Sequence, residues 1–119
     1  MSTPVGPYAP AVRAGQWLAT SGQIGVRTTP DGPVLVEGGF AEQARQALAN
    51  VGDVLAGRGL GWGNVVKANV FLADMGDYAA FNEIYLSAIG DHRPARSVVA
   101  VAALPLGALV EVEVWAYSG

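Results

Sequence analysis

Residues 65–72 read VVKANVFL, a run in which most side chains are apolar and several are β-branched. Such side chains suit the pleated surface of a sheet, so the run predicts a strand. Asp74 then stands three residues before Asp77, an arrangement similar to a capping box at a helix start. The apolar residues that follow recur three or four apart and predict a helix. Its apolar face would be formed by Tyr78, Phe81, Ile84, Tyr85 and Ala88.

The part of the chain before this strand predicts two strands and a first helix. Ala11–Arg13 and Trp17–Thr20 read as short strands joined at Gly15, and TTPDGP at 28–33 has the composition of a turn. A helical period follows, and Gly57 with Gly59 supplies its natural end. The apolar residues of this first helix are Phe40, Ala44, Ala47, Leu48, Val51, Val54 and Leu55.

Two further strands are predicted at the end of the sequence, at Ala95–Val101 and Leu109–Tyr117, with Pro94 closing the loop before them. The order β-β-α-β-α-β-β indicates the α+β class, with two helices packed on one face of a mixed sheet. The length of 119 residues fits one domain spanning 1–119.

The composition points to association between copies of the chain. Hydrophobic residues make up 51% of the sequence and charged residues 14%, against a norm of about 25% charged in globular domains. A small domain has much surface to cover, so this shortage of charge favours an apolar face that is hidden against another subunit.

Charge and sequence also bear on the partners and the location. The net charge is −3 and the seven Lys and Arg residues are scattered, so no nucleic-acid partner is expected. The N-terminus MSTPVGPYAP has no signal-peptide pattern, and no run of about 18 apolar residues predicts a membrane span. We therefore expect a cytoplasmic protein without a membrane partner.

Few side chains of catalytic type are available. The sequence has no cysteine and one histidine, His92, which lies in a predicted loop and is expected to be solvated. Ser21 lacks the frame of a nucleophile elbow, and carboxylates never occur in metal-binding spacing. No metal or cofactor is expected, which leaves arginine, glutamate, tyrosine, amides, backbone groups and water.

Two predicted strands carry charges that need an explanation. Arg96 shares a face of its strand with Val98 and Ala100, while Glu111 and Glu113 alternate with valines in the last strand. A charge in an apolar strand is costly without a partner. The charges could form an Arg–Glu ion pair or a solvated face, or Arg96 could bind an anion with a carboxylate nearby to move protons. The alternation of side chains along the two strands does not decide between the structural interpretation and the anion site.

Several short strings follow one another in a set order along almost the whole chain. They are Gly6-Pro7-Tyr8, Ser21-Gly22-Gln23-Ile24, Gln43 to Asn50, Val66-Lys67, Val70-Phe71-Leu72, Asp74-Met75, Phe81-Asn82, Tyr85, Pro94-Ala95-Arg96-Ser97, Leu104-Pro105 and Val110-Glu111-Val112-Glu113. Together these strings resemble the RidA/YjgF family of reactive-intermediate deaminases. The resemblance implies a chorismate-mutase-like fold and a homotrimer whose sheets form a central barrel, with ligand clefts between subunits. It also implies hydrolysis of enamines and imines of the 2-aminoacrylate or 2-iminopropionate type to 2-keto acids and ammonia.

Carried over by position, the resemblance assigns roles to individual residues. Arg96 would grip the substrate carboxylate, for which a guanidinium fork is suited, and Glu111 would position or activate the attacking water. The cleft would be lined by Tyr8, Ser21, Gly22, Asn82, Arg96 and Val98. The segment between Tyr85 and Pro94 is shorter than is usual in that family, which leaves substrate preference open.

Two other functions are compatible with the same residues. A trimer of this fold could bind a small carboxylate as a regulator without turning it over, using the same Arg96. An endoribonuclease or translation inhibitor is a further alternative, against which the acidic net charge counts.

Overall fold

The structure is a computed structural model that describes residues 6–119. Its strands are β1 Ala11–Ala14, β2 Trp17–Thr20, β3 Gln23–Ile24, β4 Val26–Thr29, β5 Gly32–Leu35, β6 Val65–Leu72, β7 Ala95–Ala100 and β8 Val110–Tyr117. The helices are α1 Gly39–Ala56 and α2 Tyr78–Ile89. Short 3-10 turns lie at Trp62–Asn64, Met75–Asp77 and Pro105–Gly107.

The main sheet has the order β1-β2-β8-β6-β7, and β3 also pairs with β8. The pairing of β6 with β7 is parallel and the other pairings are antiparallel, so the sheet is mixed. The α+β class with a mixed sheet and two helices is therefore confirmed. The parallel pair encloses α2 as its crossover, as a parallel connection requires.

One apolar core lies between the helices and one face of this sheet. Its members are Ala44, Ala47, Leu48, Val51, Val54 and Leu55 of α1, Phe81, Tyr85 and Ile89 of α2, and Ala11, Leu18, Val65, Ala68, Val70, Leu72, Val110, Val112, Val114 and Ala116 of the sheet. The period-two pattern places Val110, Val112 and Val114 of β8 on this face, opposite Ala68, Val70 and Leu72 of β6. Both helices thus cover the same side of the sheet, and the opposite side is left open in a single chain.

Three strands in the first third of the chain were not predicted from the sequence. Strands β4 and β5 form a separate two-stranded hairpin, and the predicted turn at 28–33 is its tip, with Thr28 pairing with Pro33. Strand β3 is only two residues long. Such short segments carry too few residues to show an alternating pattern.

The apolar face predicted for α2 was wrong at its two ends. Tyr78 and Ala88 are exposed, whereas Phe81, Tyr85 and Ile89 are buried. The buried residues are four apart, so the stripe facing the core starts one turn after Tyr78. Asp74 caps the 3-10 turn that precedes the helix, because its side chain accepts a hydrogen bond from the Gly76 backbone at 2.8 Å.

Candidate functional site

A cavity of about 300 Å³ opens beside the N-terminal part of β8. It is lined by Tyr8, Ser21, Gly22, Ile24, Pro105 and Glu111. Of the residues carried over from the resemblance, four therefore lie together here: Tyr8, Ser21, Gly22 and Glu111. We call this cavity the glutamate cavity.

The backbone around Ser21 and Gly22 fixes the shape of the glutamate cavity. The Ser21 hydroxyl donates to the Ala9 carbonyl oxygen at 2.6 Å, and its amide donates to Pro10 at 2.8 Å. Glu111 lies against Gly22, since a Cβ atom at residue 22 would be 2.5 Å from Oε2 of Glu111. Only glycine, which has no side chain, leaves enough space at residue 22 for the Glu111 carboxylate.

The surroundings of Glu111 raise the pKa of its carboxyl group. Burial raises the pKa of Glu111, and the neighbouring Glu113 carboxylate raises it further. Glu113 itself accepts a hydrogen bond from Asn69 at 3.2 Å on the same face of the sheet. A carboxyl group with a raised pKa exchanges protons closer to neutral pH, which suits general acid–base catalysis.

Helix α1 holds the wall of this cavity through two buried amides. The Asn50 side chain donates to the carbonyl oxygens of Ile24 and Val26 at 3.1 and 2.9 Å. The Gln43 side chain accepts from the Leu109 amide at 2.9 Å, just before β8 begins. These bonds tie the segment after Gly22 and the start of β8 to one helix, and so position the elements that carry the cavity residues.

A second cavity, of about 370 Å³, lies between α2 and β7. It is lined by Asn82, Tyr85, Leu86, Arg93, Pro94 and Arg96. We call it the arginine cavity. Asn82 and Arg96, both carried over from the resemblance, therefore lie together here.

Neutral groups surround the guanidinium of Arg96. Its Nη2 donates to Asn82 Oδ1 at 2.7 Å and to the Tyr78 hydroxyl at 3.2 Å. The guanidinium carbon also lies 4.9 Å from the ring centre of Tyr85 and 5.9 Å from that of Phe81. Aromatic faces attract a cation without neutralising its charge.

No carboxylate in the described part of the chain forms an ion pair with Arg96. Within residues 6–119 the structure gives one ion pair, between Arg45 and Glu42 on α1 at 2.6 Å. The interpretation of Arg96 and a glutamate as an internal ion pair is therefore wrong for a single chain. A half-buried cation with neutral partners is able to bind an anion from outside the chain.

Arg96 and Glu111 do not meet within one chain. Arg96 is opposite Ala68 of β6, on the face that packs against the helices, and Glu111 is opposite Phe71, on the other face. The two side chains accordingly line different cavities. Strand parity predicted the face of each residue within its own strand, but the relative register of β7 and β8 came only from the structure.

The remaining predicted residue, Val98, lines neither cavity. It is half-buried on the same face of β7 as Arg96 and packs against the core. The predicted site residues did not include Ile24 and Pro105 of the glutamate cavity or Tyr85, Leu86, Arg93 and Pro94 of the arginine cavity. Of these, Arg93, Pro94 and Pro105 belong to loops or turns. Loop positions have no periodicity that could have revealed them.

His92 is exposed, as predicted, and its Nε2 lies 2.7 Å from the Val65 carbonyl oxygen. Across the described part of the chain, no three His, Asp or Glu side chains lie close enough together to hold a metal ion. Neither helix within residues 6–119 is long and apolar enough to cross a membrane.

Comparisons with known proteins agree along the full length of the chain. Residues 1–118 match the family model described as Endoribonuclease L-PSP. The mouse 2-iminobutanoate/2-iminopropanoate deaminase is 44% identical over 115 residues, which cover 97% of this chain and 84% of the mouse protein. The crystal structure of RidA from Psychrobacter sp. PAMC 21119 has a TM-score of 0.89 and 39% identity, and the match covers 98% of this chain and 92% of that one.

The chain belongs to the RidA/YjgF family.

Within this family the chain is also similar to Escherichia coli TdcF, whose crystal structure contains bound serine. The two share 33% identity with a TM-score of 0.87, and the match covers 99% of this chain and 93% of TdcF. The family resemblance drawn from the short strings is therefore confirmed. Names within the family differ, since the model is described as an endoribonuclease and the curated mammalian relatives as deaminases.

Proposed function

We propose that this protein hydrolyses reactive enamines and imines of the 2-aminoacrylate or 2-iminopropionate type to 2-keto acids and ammonia. The observation that carries the proposal is the guanidinium of Arg96, half-buried among neutral groups. A substrate carboxylate would supply the missing negative charge. Relatives that are 44% identical are named 2-iminobutanoate/2-iminopropanoate deaminases, and TdcF holds a small carboxylate, serine, which supports the same substrate class.

The reaction needs little beyond orientation and one proton-transfer group. Arg96 would hold the carboxylate, so that the imine carbon faces a water molecule beside Glu111. As the water oxygen bonds to the carbon, the Glu111 carboxylate accepts a water proton and returns it to the nitrogen. Glu111 then accepts the hydroxyl proton and passes it to the amino nitrogen as the carbon–nitrogen bond breaks. Ammonia leaves, so one imine and one water give one keto acid and one ammonia.

A complete site in this scheme requires two copies of the chain. Arg96 and Glu111 lie on opposite faces of one sheet, so a substrate held by both must lie between subunits. We propose a homotrimer with a chorismate-mutase-like fold and a central barrel of sheets. In each intersubunit cleft, the glutamate cavity of one protomer would face the arginine cavity of the next.

The sheet face opposite the helices supports this assembly. It carries exposed apolar side chains, among them Val12, Trp17, Val99 and Trp115, which are 62, 40, 47 and 45% exposed. Trp17 also contacts Tyr117, with ring centres 5.0 Å apart. An apolar face of this kind is typical of a surface that is covered in an assembly.

A coupled assay tests the proposed reaction. A pyridoxal-phosphate dehydratase generates 2-aminoacrylate from serine, and keto-acid formation is followed with and without this protein. We expect acceleration by the wild type and none by Arg96→Ala at the same trimer mass. Binding of a small carboxylate without acceleration would overturn the deaminase and favour the regulator.

RNA cleavage is the second candidate function, because the matching family model is described as Endoribonuclease L-PSP. Purified protein is incubated with a single-stranded RNA alongside Arg96→Ala and Glu111→Ala. We expect no cleavage, because the chain carries a net charge of −3 and would repel the phosphate backbone. Cleavage that both substitutions abolish would establish the endoribonuclease instead.

A further inference from the structure

A second arginine, exposed to solvent, lines the arginine cavity. Arg93 borders the same space of about 370 Å³ as Arg96, together with Asn82, Tyr85, Leu86 and Pro94. The lining residues thus bring two positive charges and no carboxylate. The proposed function uses only Arg96.

Neutral groups alone bind Arg93. Its Nη1 donates to the carbonyl oxygens of Gly90 and His92, the latter at 2.9 Å. Asp91 is two residues away but makes no ion pair with it, and no other acid among residues 6–119 does so. The guanidinium is therefore oriented by its own loop, with Nε and Nη2 making no hydrogen bond in this part of the chain.

Arg96 has the same pattern of used and unused donors. Both of its hydrogen bonds, to Asn82 and Tyr78, come from Nη2, so Nε and Nη1 remain available for an anion. The Tyr85 hydroxyl lies within the field of both cations. Burial raises the pKa of Tyr85, while Arg96 and then Arg93 act to lower it.

Two oriented cations in one cavity suit a ligand with two negative charges. A substrate with a single carboxylate would neutralise one guanidinium and leave the other unpaired beside it. We propose that Arg93 is a specificity-determining residue that binds a second carboxylate, so that imines of dicarboxylic amino acids are the preferred substrates. This inference rests on the proposed function, in which Arg96 binds the carboxylate next to the imine carbon.

The experiment compares two substrates that differ in one charge and hardly in shape. Amino-acid oxidases generate the imines of glutamate and of glutamine in the assay, and acceleration of keto-acid formation is measured. We expect kcat/KM for the glutamate imine to exceed that for the glutamine imine about tenfold or more, as one charge-assisted bond allows.

Three variants identify the source of this preference. In Arg93→Gln the ratio of the two kcat/KM values falls to about one, and in Arg93→Lys part of it remains because the charge is kept. Arg45→Gln, which removes the same charge from the outer surface of α1, keeps the wild-type ratio. Equal kcat/KM values in the wild type, or an unchanged ratio in Arg93→Gln, would overturn the subsite.

A binding measurement separates failure of the subsite from failure of the deaminase. If neither imine is accelerated, the proposed function is wrong, and calorimetry with glutarate and its monoamide tests the subsite alone. Tighter binding of glutarate in the wild type but not in Arg93→Gln keeps the second-carboxylate site. Equal binding of the two compounds rejects it.

Discussion

The carboxylate of Glu111 occupies the space that a side chain at residue 22 would need. A Cβ atom on Gly22 would lie 2.5 Å from Oε2 and 2.6 Å from the carboxyl carbon of Glu111. The contact joins the segment between β2 and β3 to strand β8. The carboxyl group of Glu111, the proposed proton-transfer group, therefore lies against the backbone of Gly22.

Gly22→Ala is therefore expected to impair turnover without unfolding the protein. The clash is with the far end of a flexible side chain, which turns away and loses its position. A displacement of about 1 Å at a reacting group can cost about a hundredfold in rate, so we expect kcat to fall ten- to a hundredfold. Steady-state kinetics and thermal unfolding measure the two effects.

Gly25→Ala is the matched control for that substitution. A Cβ atom on Gly25 would lie 2.5 Å from the backbone oxygen of Gln43, and a helix backbone cannot turn away as a side chain does. This variant should lose stability, with a lowered midpoint in denaturant. If Gly22→Ala is destabilised as much as Gly25→Ala, the local account of the Glu111 contact is wrong.

Turnover is expected to depend on pH through Glu111. The reaction uses its ionised form, so the rate falls as the pH drops through its pKa. Because burial and Glu113 raise this pKa, the fall begins at a higher pH than for an ordinary carboxylate. Glu113→Gln removes a negative charge that opposes ionisation, and so lowers the pKa and moves the acidic limb of kcat/KM to lower pH.

An exposed carboxylate outside both cavities provides the control for this pH profile. Glu37→Gln changes the net charge by the same amount and should leave the acidic limb in place. An acidic limb that stays unchanged in Glu113→Gln would show that another group governs the profile.

Asn50→Asp is expected to destabilise the fold strongly. The amide nitrogen of Asn50 donates to two carbonyl oxygens, and a carboxylate there would face both of them as a buried, repelled charge. We expect a loss of about 3 kcal/mol or more in the free energy of unfolding. Asn64→Asp makes the same change where the amide donates to a single carbonyl oxygen at the surface, and a similar loss there would contradict a specific role for Asn50.

Tyr85→Phe should not reduce the stability of the fold. The Tyr85 hydroxyl is buried without a hydrogen-bond partner among residues 6–119. Removing it therefore eliminates the free-energy cost of burying a polar group that forms no hydrogen bond. We expect the free energy of unfolding to stay the same or rise by about 1 kcal/mol. A loss of more than that amount in chemical denaturation would show that the hydroxyl has an acceptor in the assembled protein.

The long elements could be predicted from the sequence because their patterns are long. Strand β8 alternates over eight residues, strand β6 is rich in β-branched residues, and the apolar residues of α1 recur over four turns. Strand β3 has two residues and no such pattern. Strand β8 starts at Val110 rather than Leu109, because the Leu109 amide donates to Gln43 instead of to a neighbouring strand.

The candidate site was predictable residue by residue but not as an arrangement. The resemblance named Tyr8, Ser21, Gly22, Asn82, Arg96, Val98 and Glu111. It could not show that six of them divide between two cavities and that Val98 lines neither, since that division follows from the register of β7 and β8 on β6. Arg93 was missed because a loop arginine next to His92 resembles an ordinary solvated charge.

The shared site requires an assembly, which a mass measurement tests first. Light scattering should give three times the chain mass of 12.2 kDa for the wild type and for variants at residues 96 and 111. A particle with the mass of one chain would leave Arg96 and Glu111 unable to act on one substrate.

Mixing two inactive variants tests the shared site most directly. Arg96→Gln and Glu111→Gln are each expected to be inactive as pure trimers. After unfolding and refolding together in equal amounts, about a quarter of the clefts in a ring of three should combine an intact arginine with an intact glutamate. We predict recovery of about that fraction of wild-type turnover. No recovery, in a sample where native mass spectrometry shows mixed trimers, would contradict a site built from two subunits.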